Sequence, residues 1–267
     1  MRTIVHLSDL HFGRVDHAVL GPLRAKVHGL APHLVVVSGD LTQRARPHEF
    51  RAARSFLDAL PQPRLVVPGN HDVPLYNVFQ RFFQPLAKYR RFIAAELEPW
   101  YVDEAMAVVG VNTARSNVFK GGRINEAQIE RVRGLICDLP GHVTKIVVTH
   151  HPFDLPPGHA PRQLVGRARK AMQMFARCGA DILLAGHLHE SHASDTRLRY
   201  KIDGFAALVV QAGTATSTRG RGEANSFNVL RIAHPQIRIE RYTWNGGGFE
   251  PNEAVAYRHD ANGWTRS

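Results

Sequence analysis

Five short apolar runs, each ending in a carboxylate, an amide or an imidazole, constrain this chain more than any other feature. Thr3 to Leu7 runs into Ser8-Asp9-Leu10-His11, and Leu34 to Val37 runs into Ser38-Gly39-Asp40. Leu65 to Val67 leads to Pro68-Gly69-Asn70-His71-Asp72, Lys145 to Thr149 to His150-His151-Pro152, and Asp181 to Ala185 to Gly186-His187-Leu188-His189. Runs rich in β-branched residues and without alternation read as strands buried on both faces. Ala18 to Leu30, Pro47 to Leu60 and Asn125 to Asp138 read as helices between them. The chain therefore predicts an α/β fold, in which open sheets place their ligands at the carboxyl ends of strands.

One polar pair at a strand end is commonly a satisfied hydrogen-bonded contact. Five sets in succession are hard to explain by folding alone, because every buried polar group must find a partner. A metal cluster shared among them is such a partner. The candidate ligands are Asp9, His11, Asp40, Asn70, His150, His187 and His189, with His71 as a candidate acid or electrostatic clamp. Imidazole with carboxylate and amide oxygen, and no thiolate, suits Mn(II), Fe, Zn or Co rather than Ca(II) or a cysteine-bound zinc. Two divalent ions bring about +4 against −2 from the two aspartates, so the site wants an anion, and one acid must bridge. Such a pair, about 3.5–4 Å apart, activates a hydroxide and clamps the attacking and leaving oxygens of an in-line displacement.

The order Asp9-x-His11, Gly39-Asp40, Gly69-Asn70-His71-Asp72, His150-His151-Pro152 and Gly186-His187-x-His189 resembles the calcineurin-like metallophosphoesterase superfamily, and within it the bacterial class III cyclic-nucleotide phosphodiesterases and their glycerophosphodiesterase relatives. All five blocks stand in order, and the resemblance covers the chain to about Trp244. It implies a four-layer αββα sandwich of mixed sheets with a dinuclear metal site at strand carboxyl ends. It implies that Asp9, His11, Asp40 and His189 hold one ion and Asp40, Asn70, His150 and His187 the other, with Asp40 bridging. His71 is similar to the family's non-ligand histidine, which contacts the phosphate or protonates the leaving oxygen. The activity implied is phosphoric ester hydrolysis by a metal-bridging hydroxide, with a cyclic nucleotide or similar small phosphodiester as substrate. A DNA exonuclease, a UDP-lipid pyrophosphohydrolase and a non-catalytic scaffold are the rivals. The scaffolds of this fold generally lose ligands, whereas His11 and His71 are kept here.

Around this core the remaining expectations are plainer. At 267 residues and 44% hydrophobic content the chain suits one domain, read as residues 1–245, with a polar, Gly-rich tail over 246–267 covering an edge. The formal charge of +11 implies attraction to anions, whether phosphorylated metabolites, nucleic acid or acidic lipid. A strand begins at once at the N-terminus, with no signal-peptide pattern and no membrane span, so a cytoplasmic location is expected. Cys137 and Cys178 read as two inert buried thiols in a reducing compartment. Arg197 to Ile202, Phe205 to Ala212, Ser226 to Ile232 and Ile237 to Trp244 read as antiparallel strands.

Val73 to Glu98 reads as helical, interrupted near Pro85, with an aromatic stripe through Phe79, Phe82, Phe83, Tyr89 and Phe92 assigned to core. A lid, dimer face or membrane-surface patch is the alternative. His151 is expected to orient a neighbour or contact substrate, and Asp72 to fix its loop or the His71 ring. Glu190 and His192 are expected to be solvated, and Asn112 and Thr113 are weak candidates for outer contacts. Arg219 and Arg221 are assigned to a flexible solvated loop over Thr214 to Asn225, with a phosphate contact as the alternative.

Overall fold

In the computed structural model, which describes residues 1–116, 121–219, 222–261 and 263–267, the apolar runs build two mixed sheets. The first part of the chain comprises β1 (Arg2–Leu7), α1 (His17–Gly29), β2 (Leu34–Ser38), α2 (Pro47–Asp58), β3 (Arg64–Val67), α3 (Val78–Phe83) and α4 (Ala87–Phe92). The middle adds β4 (Trp100–Val102), β5 (Met106–Gly110), α5 (Glu126–Ile136), β6 (Thr144–Val148), α6 (Ala168–Cys178) and β7 (Ile182–Ala185). The last part holds β8 (His192–Asp195), α7 (Arg197–Tyr200), β9 (Leu208–Gln211), β10 (Ser226–Ala233), β11 (Gln236–Trp244), β12 (Phe249–Asp260) and β13 (Gly263–Arg266).

The strand orders are β13-β12-β11-β10-β1-β2-β3 and β4-β5-β6-β7-β9-β8. In the first sheet β1, β2 and β3 run parallel; in the second, β5, β6, β7 and β9 do. Three apolar layers follow. Ile4, Val36 and Val67 of one sheet meet Val108, Ile146 and Leu184 of the other between the sheets. Val5 and Val37 point instead to α1 and α2, through Leu23 and Phe50, while Val147 and Leu183 point to α5 and α6, through Val132 and Phe175. The expected αββα sandwich results, because strands apolar on both faces are buried only when something covers each face. The helices between them start where their sequences signal it: Asn125 accepts from the Gln128 amide at 2.8 Å to cap α5.

Three expectations fail and a fourth is refined. The segment from Arg197 is not a strand but the single turn α7, because Asp195 accepts from the Arg197 amide and guanidinium and turns the chain. Strand β9 pairs parallel with β7 and antiparallel only with β8, a strand the sequence reading did not contain. Cys137 and Cys178 are not free thiols: the ends of α5 and α6 lie side by side with the two Cα atoms 4.2 Å apart, and a disulfide joins them. The tail covers an edge, but as paired strands rather than as a polar extension. It contributes β12 and β13, and Trp264 is buried between the sheets, donating to Asp181 at 2.8 Å.

The aromatic stripe divides. Pro85 breaks the run into α3 and α4, which present different faces. Leu86 and Tyr89 are buried and Phe92 stacks on Phe50, whereas Phe79, Phe82 and Phe83 are 68%, 53% and 73% exposed. Among the described residues no helix is long and apolar enough to cross a membrane.

Candidate metal centre

The five polar strand ends converge at one edge of the sandwich, at the carboxyl ends of β1, β2, β3, β6 and β7. The backbone there is unusual. Asp9, His11, Asp40, His187 and His189 all have positive φ, between 46° and 74°, a region that non-glycine residues rarely adopt and that concentrates at functional sites. Two glycines permit close approach. A Cβ on Gly69 would fall 2.1 Å from Asp40 Oδ1, and one on Gly186 would fall 1.8 Å from Ser8 Oγ and 2.5 Å from Asp9 Oδ2. Each glycine is therefore fixed by the carboxylate packed against it.

The side chains form two groups that share Asp40. In one, His11 Nε2 and His189 Nε2 face each other at 3.3 Å, each 3.5 Å from Asp9 Oδ1, and His11 Nε2 lies 3.7 Å from Asp40 Oδ2. In the other, His150 Nε2 lies 3.4 Å from Asp40 Oδ1 and 3.1 Å from Asn70 Oδ1. The His187 ring is 5.1 Å from that of His150, and the His187 amide donates to Asp9 Oδ2 at 2.9 Å. All seven candidate ligands are thus brought together.

The protonation pattern suits a cation. His150 Nδ1 lies 2.8 Å from the Ser38 carbonyl, which only accepts, so in the neutral ring Nε2 is a bare lone pair facing the Asn70 oxygen. With the Asn70 oxygen turned to it, a cation between the two satisfies both acceptors. Without a metal a proton supplies the positive charge: burial would pull His150 down, but Asp40 outweighs burial and lifts it to about 9. Burial pushes His187 down to about 3 and lowers His189 and His151, so these rings stay neutral with lone pairs available. Burial alone would raise the two carboxyls; His189 foremost for Asp9, and His150 foremost for Asp40, hold them below the usual range. Asp9 Oδ1, His11 Nδ1 and His189 Nδ1 are buried with no hydrogen-bond partner. For bonds of about 2.1 Å, ligand atoms around one ion stand about 3.0–3.4 Å apart, close to the spacings found here. The residues fit two ions.

The neighbouring candidates fall into place around this pair. His71 Nδ1 lies 2.8 Å from the Gln43 carbonyl, its amide donates to Asp40 Oδ1, and its Nε2 accepts from Arg219 at 3.2 Å. Burial lowers its pKa, so it rests as a neutral ring at the mouth. His151 is closer to the centre than expected. It groups with His150 and His187, Thr113 holds its Nδ1 at 2.8 Å, and its Nε2 is buried without a partner. Asp72 fixes the loop rather than the His71 ring, accepting from the amides of Gly69, Leu41 and Thr42. Glu190 is only partly exposed and pairs with His159. His192 is half-buried in β8, and Asn112 turns away to cap Ala114. Arg221 lies outside the described residues.

Three supporting groups were not singled out in the sequence as site residues: Gln43, whose backbone carbonyl accepts from His71 Nδ1 and whose Oε1 accepts from Arg219, Thr214, which donates to the Asp9 carbonyl at 2.7 Å, and Ser8, which donates to Asp9 Oδ2 at 2.7 Å. Of these only Ser8, adjacent to a candidate ligand, could have been suspected.

Comparison with known proteins agrees with this geometry. The chain is 29% identical over 168 residues to the glycerophosphodiester phosphodiesterase GpdQ of Enterobacter lignolyticus, spanning 59% of each protein. It is 26% identical over 207 residues to the 3',5'-cyclic adenosine monophosphate phosphodiesterase CpdA of Escherichia coli, covering 70% of this chain and 69% of that one. A dimetal phosphatase from Danio rerio has the same fold, with a TM-score of 0.68 at 12% identity over 97% of this chain and 99% of the other. The model of the calcineurin-like phosphoesterases matches residues 2–191, which hold every one of the candidate ligands, and the chain belongs to that family.

Proposed function

We propose that the protein is a dinuclear metal-dependent phosphodiesterase acting on a small phosphodiester, a cyclic nucleotide or a compound like it. The observation that carries this reading is the division of Asp40, whose Oδ2 faces His11 and whose Oδ1 faces His150, so that one buried carboxylate belongs to two ligand groups. Asp9, His11, Asp40 and His189 would hold one ion, and Asp40, Asn70, His150 and His187 the other. Bound there, two divalent ions supply Lewis-acid activation of water and neutralise charge on the phosphoryl group. The chain supplies the rest. Asp72 and the tight approach at Gly69 hold Asn70 and His71 against Asp40, so the ligands and the clamp move as one unit. His71 Nε2 stands at the mouth as an acceptor in the resting ring; once it takes a proton from solvent it would donate to the phosphate and give that proton to the departing alkoxide.

The diester preference is supported by the activities of GpdQ and CpdA, and the charge of +11 favours any anionic substrate. A second reading has one observation behind it: exposed Phe79, Phe82 and Phe83 follow directly on the Asn70–Asp72 turn and would suit an ester with an apolar moiety. A rate panel separates them. Manganese-loaded protein is assayed on a cyclic nucleotide, a bis-aryl phosphate, a mono-aryl phosphate, single-stranded DNA and a UDP-lipid. Turnover of the first two, abolished by chelator and restored by metal, is expected; turnover of the UDP-lipid alone would transfer the assignment to the second reading.

A further inference from the structure

Arg219 lies on a loop that the sequence assigns to solvent, yet its position is tightly defined. The segment from Thr214 to Arg219 runs beside the loop carrying Asp9 and His11 and is bonded to it throughout. The Ala215 amide donates to the Ser8 carbonyl at 3.0 Å, and Thr214 and Thr216 hydroxyls donate to the carbonyls of Asp9 and Leu10 at 2.7 and 2.6 Å. The Asp16 amide donates to Thr216, the Thr218 amide to Arg14, and the Arg219 amide to Ser217 Oγ. A loop held by this many bonds to a ligand-bearing segment delivers its side chain to a set place.

That place is the mouth of the centre. Arg219 Nη1 is 3.2 Å from His71 Nε2 and 3.4 Å from Gln43 Oε1, and the His71 ring stands edge-on to His11 with centroids 4.9 Å apart. A guanidinium only donates, so Nε2 of His71 must be the acceptor and Nδ1 must carry the proton given to the Gln43 carbonyl. Both of Arg219's acceptors are neutral. Among the described residues it has no carboxylate partner, although Arg197, Arg199 and Arg241 nearby in sequence are each paired with an acid. A half-buried arginine with only neutral acceptors gains a stronger, charge-assisted bond when a phosphate oxygen arrives.

Building on the phosphoesterase reading, we propose that Arg219 is a phosphate-binding residue of this site, donating to a non-bridging oxygen of the substrate. The oxygen displaces His71 Nε2 as acceptor for Nη1, and the freed Nε2 lone pair can take up a proton from solvent and donate to the same phosphate. The guanidinium fork adds positive charge at the mouth, beside His71. A lysine at this position keeps the charge and loses the fork.

Calorimetric titration of the manganese-loaded full chain with orthophosphate tests this without requiring turnover. Arg219→Met is expected to weaken orthophosphate binding by about 10- to 100-fold, and Arg219→Lys by less, with manganese stoichiometry and affinity unchanged in both. Wild-type orthophosphate affinity in Arg219→Met, or a loss that parallels a loss of manganese, would overturn the proposal. Should Arg219→Met fail to fold, Arg219→Lys decides: any weakening at full manganese loading supports the assignment, and none refutes it. Failure of the wild type to hydrolyse a bis-aryl phosphate would remove the phosphodiesterase reading separately, because the binding comparison does not depend on it.

Discussion

At the scale of single residues, Asp40 carries the heaviest demand. It is buried, has a left-handed backbone, touches both ligand groups and accepts from the His71 amide. Asp40→Ala is expected to lower kcat by more than about 10³-fold with the circular dichroism spectrum retained, because on the proposed reading the protein loses a shared ligand rather than core packing. His71→Ala is expected to lower kcat by about 10²–10⁴-fold while metal content stays at the wild-type level, since the proposed role of His71 is to contact phosphate and not to hold an ion. His150 makes the metal-free protein sensitive to pH. Its folded value, raised from 6.5 to about 9, means that its stabilising proton is fully in place below pH 6.5 and is lost as the pH rises through 9. The melting temperature of the stripped protein should therefore fall between pH 6.5 and 9, and metal should abolish the fall by taking the proton's place; a flat profile in the stripped protein would count against the His150–Asp40 contact. The candidate ligands were legible in the sequence because each ends an apolar run, where a polar side chain is conspicuous. The left-handed backbone and the place of Arg219 were not, because both depend on loops brought together from opposite ends of the chain.

At the scale of elements, what the sequence disclosed followed local pattern. Strands with continuous apolar character, such as Leu34–Ser38 and Ile182–Ala185, and capped helices such as Glu126–Ile136 stand within a residue or two of where the pattern puts them. Elements defined by their partners were missed. Phe249–Asp260 contains Pro251 and is exposed along most of its length, so only its pairing with Gln236–Trp244 makes it a strand. Trp264 on the last strand is buried between the sheets, and Trp264→Ala should destabilise the fold by about 3–5 kcal/mol in denaturant titration. A value near zero would mean that Trp264 does not anchor the tail to the core. The disulfide was hidden in the same way, since the contact between the ends of α5 and α6 appears in neither helix alone. It closes a loop of 41 residues, and reduction should cost about 2–4 kcal/mol of stability, read as a lower denaturant midpoint without loss of bound metal.

At the scale of the molecule, two sheets with helices outside form a frame whose one polar edge gathers the parallel-strand ends, which is why residues as far apart as Asp9 and His189 share a site. The net charge of +11 acts over the whole surface and should make kcat/KM for an anionic diester fall as ionic strength rises from roughly 0.01 to 0.15 M, where the screening length shortens from about 30 to 8 Å. All of this rests on two ions held around Asp40. Titration of the stripped protein with Mn(II), followed by electron paramagnetic resonance, is the most direct check. Saturation at two ions per chain with a spin-coupled signal, lost in Asp40→Ala, is the expected result; saturation at one ion, or two ions without coupling, would contradict it.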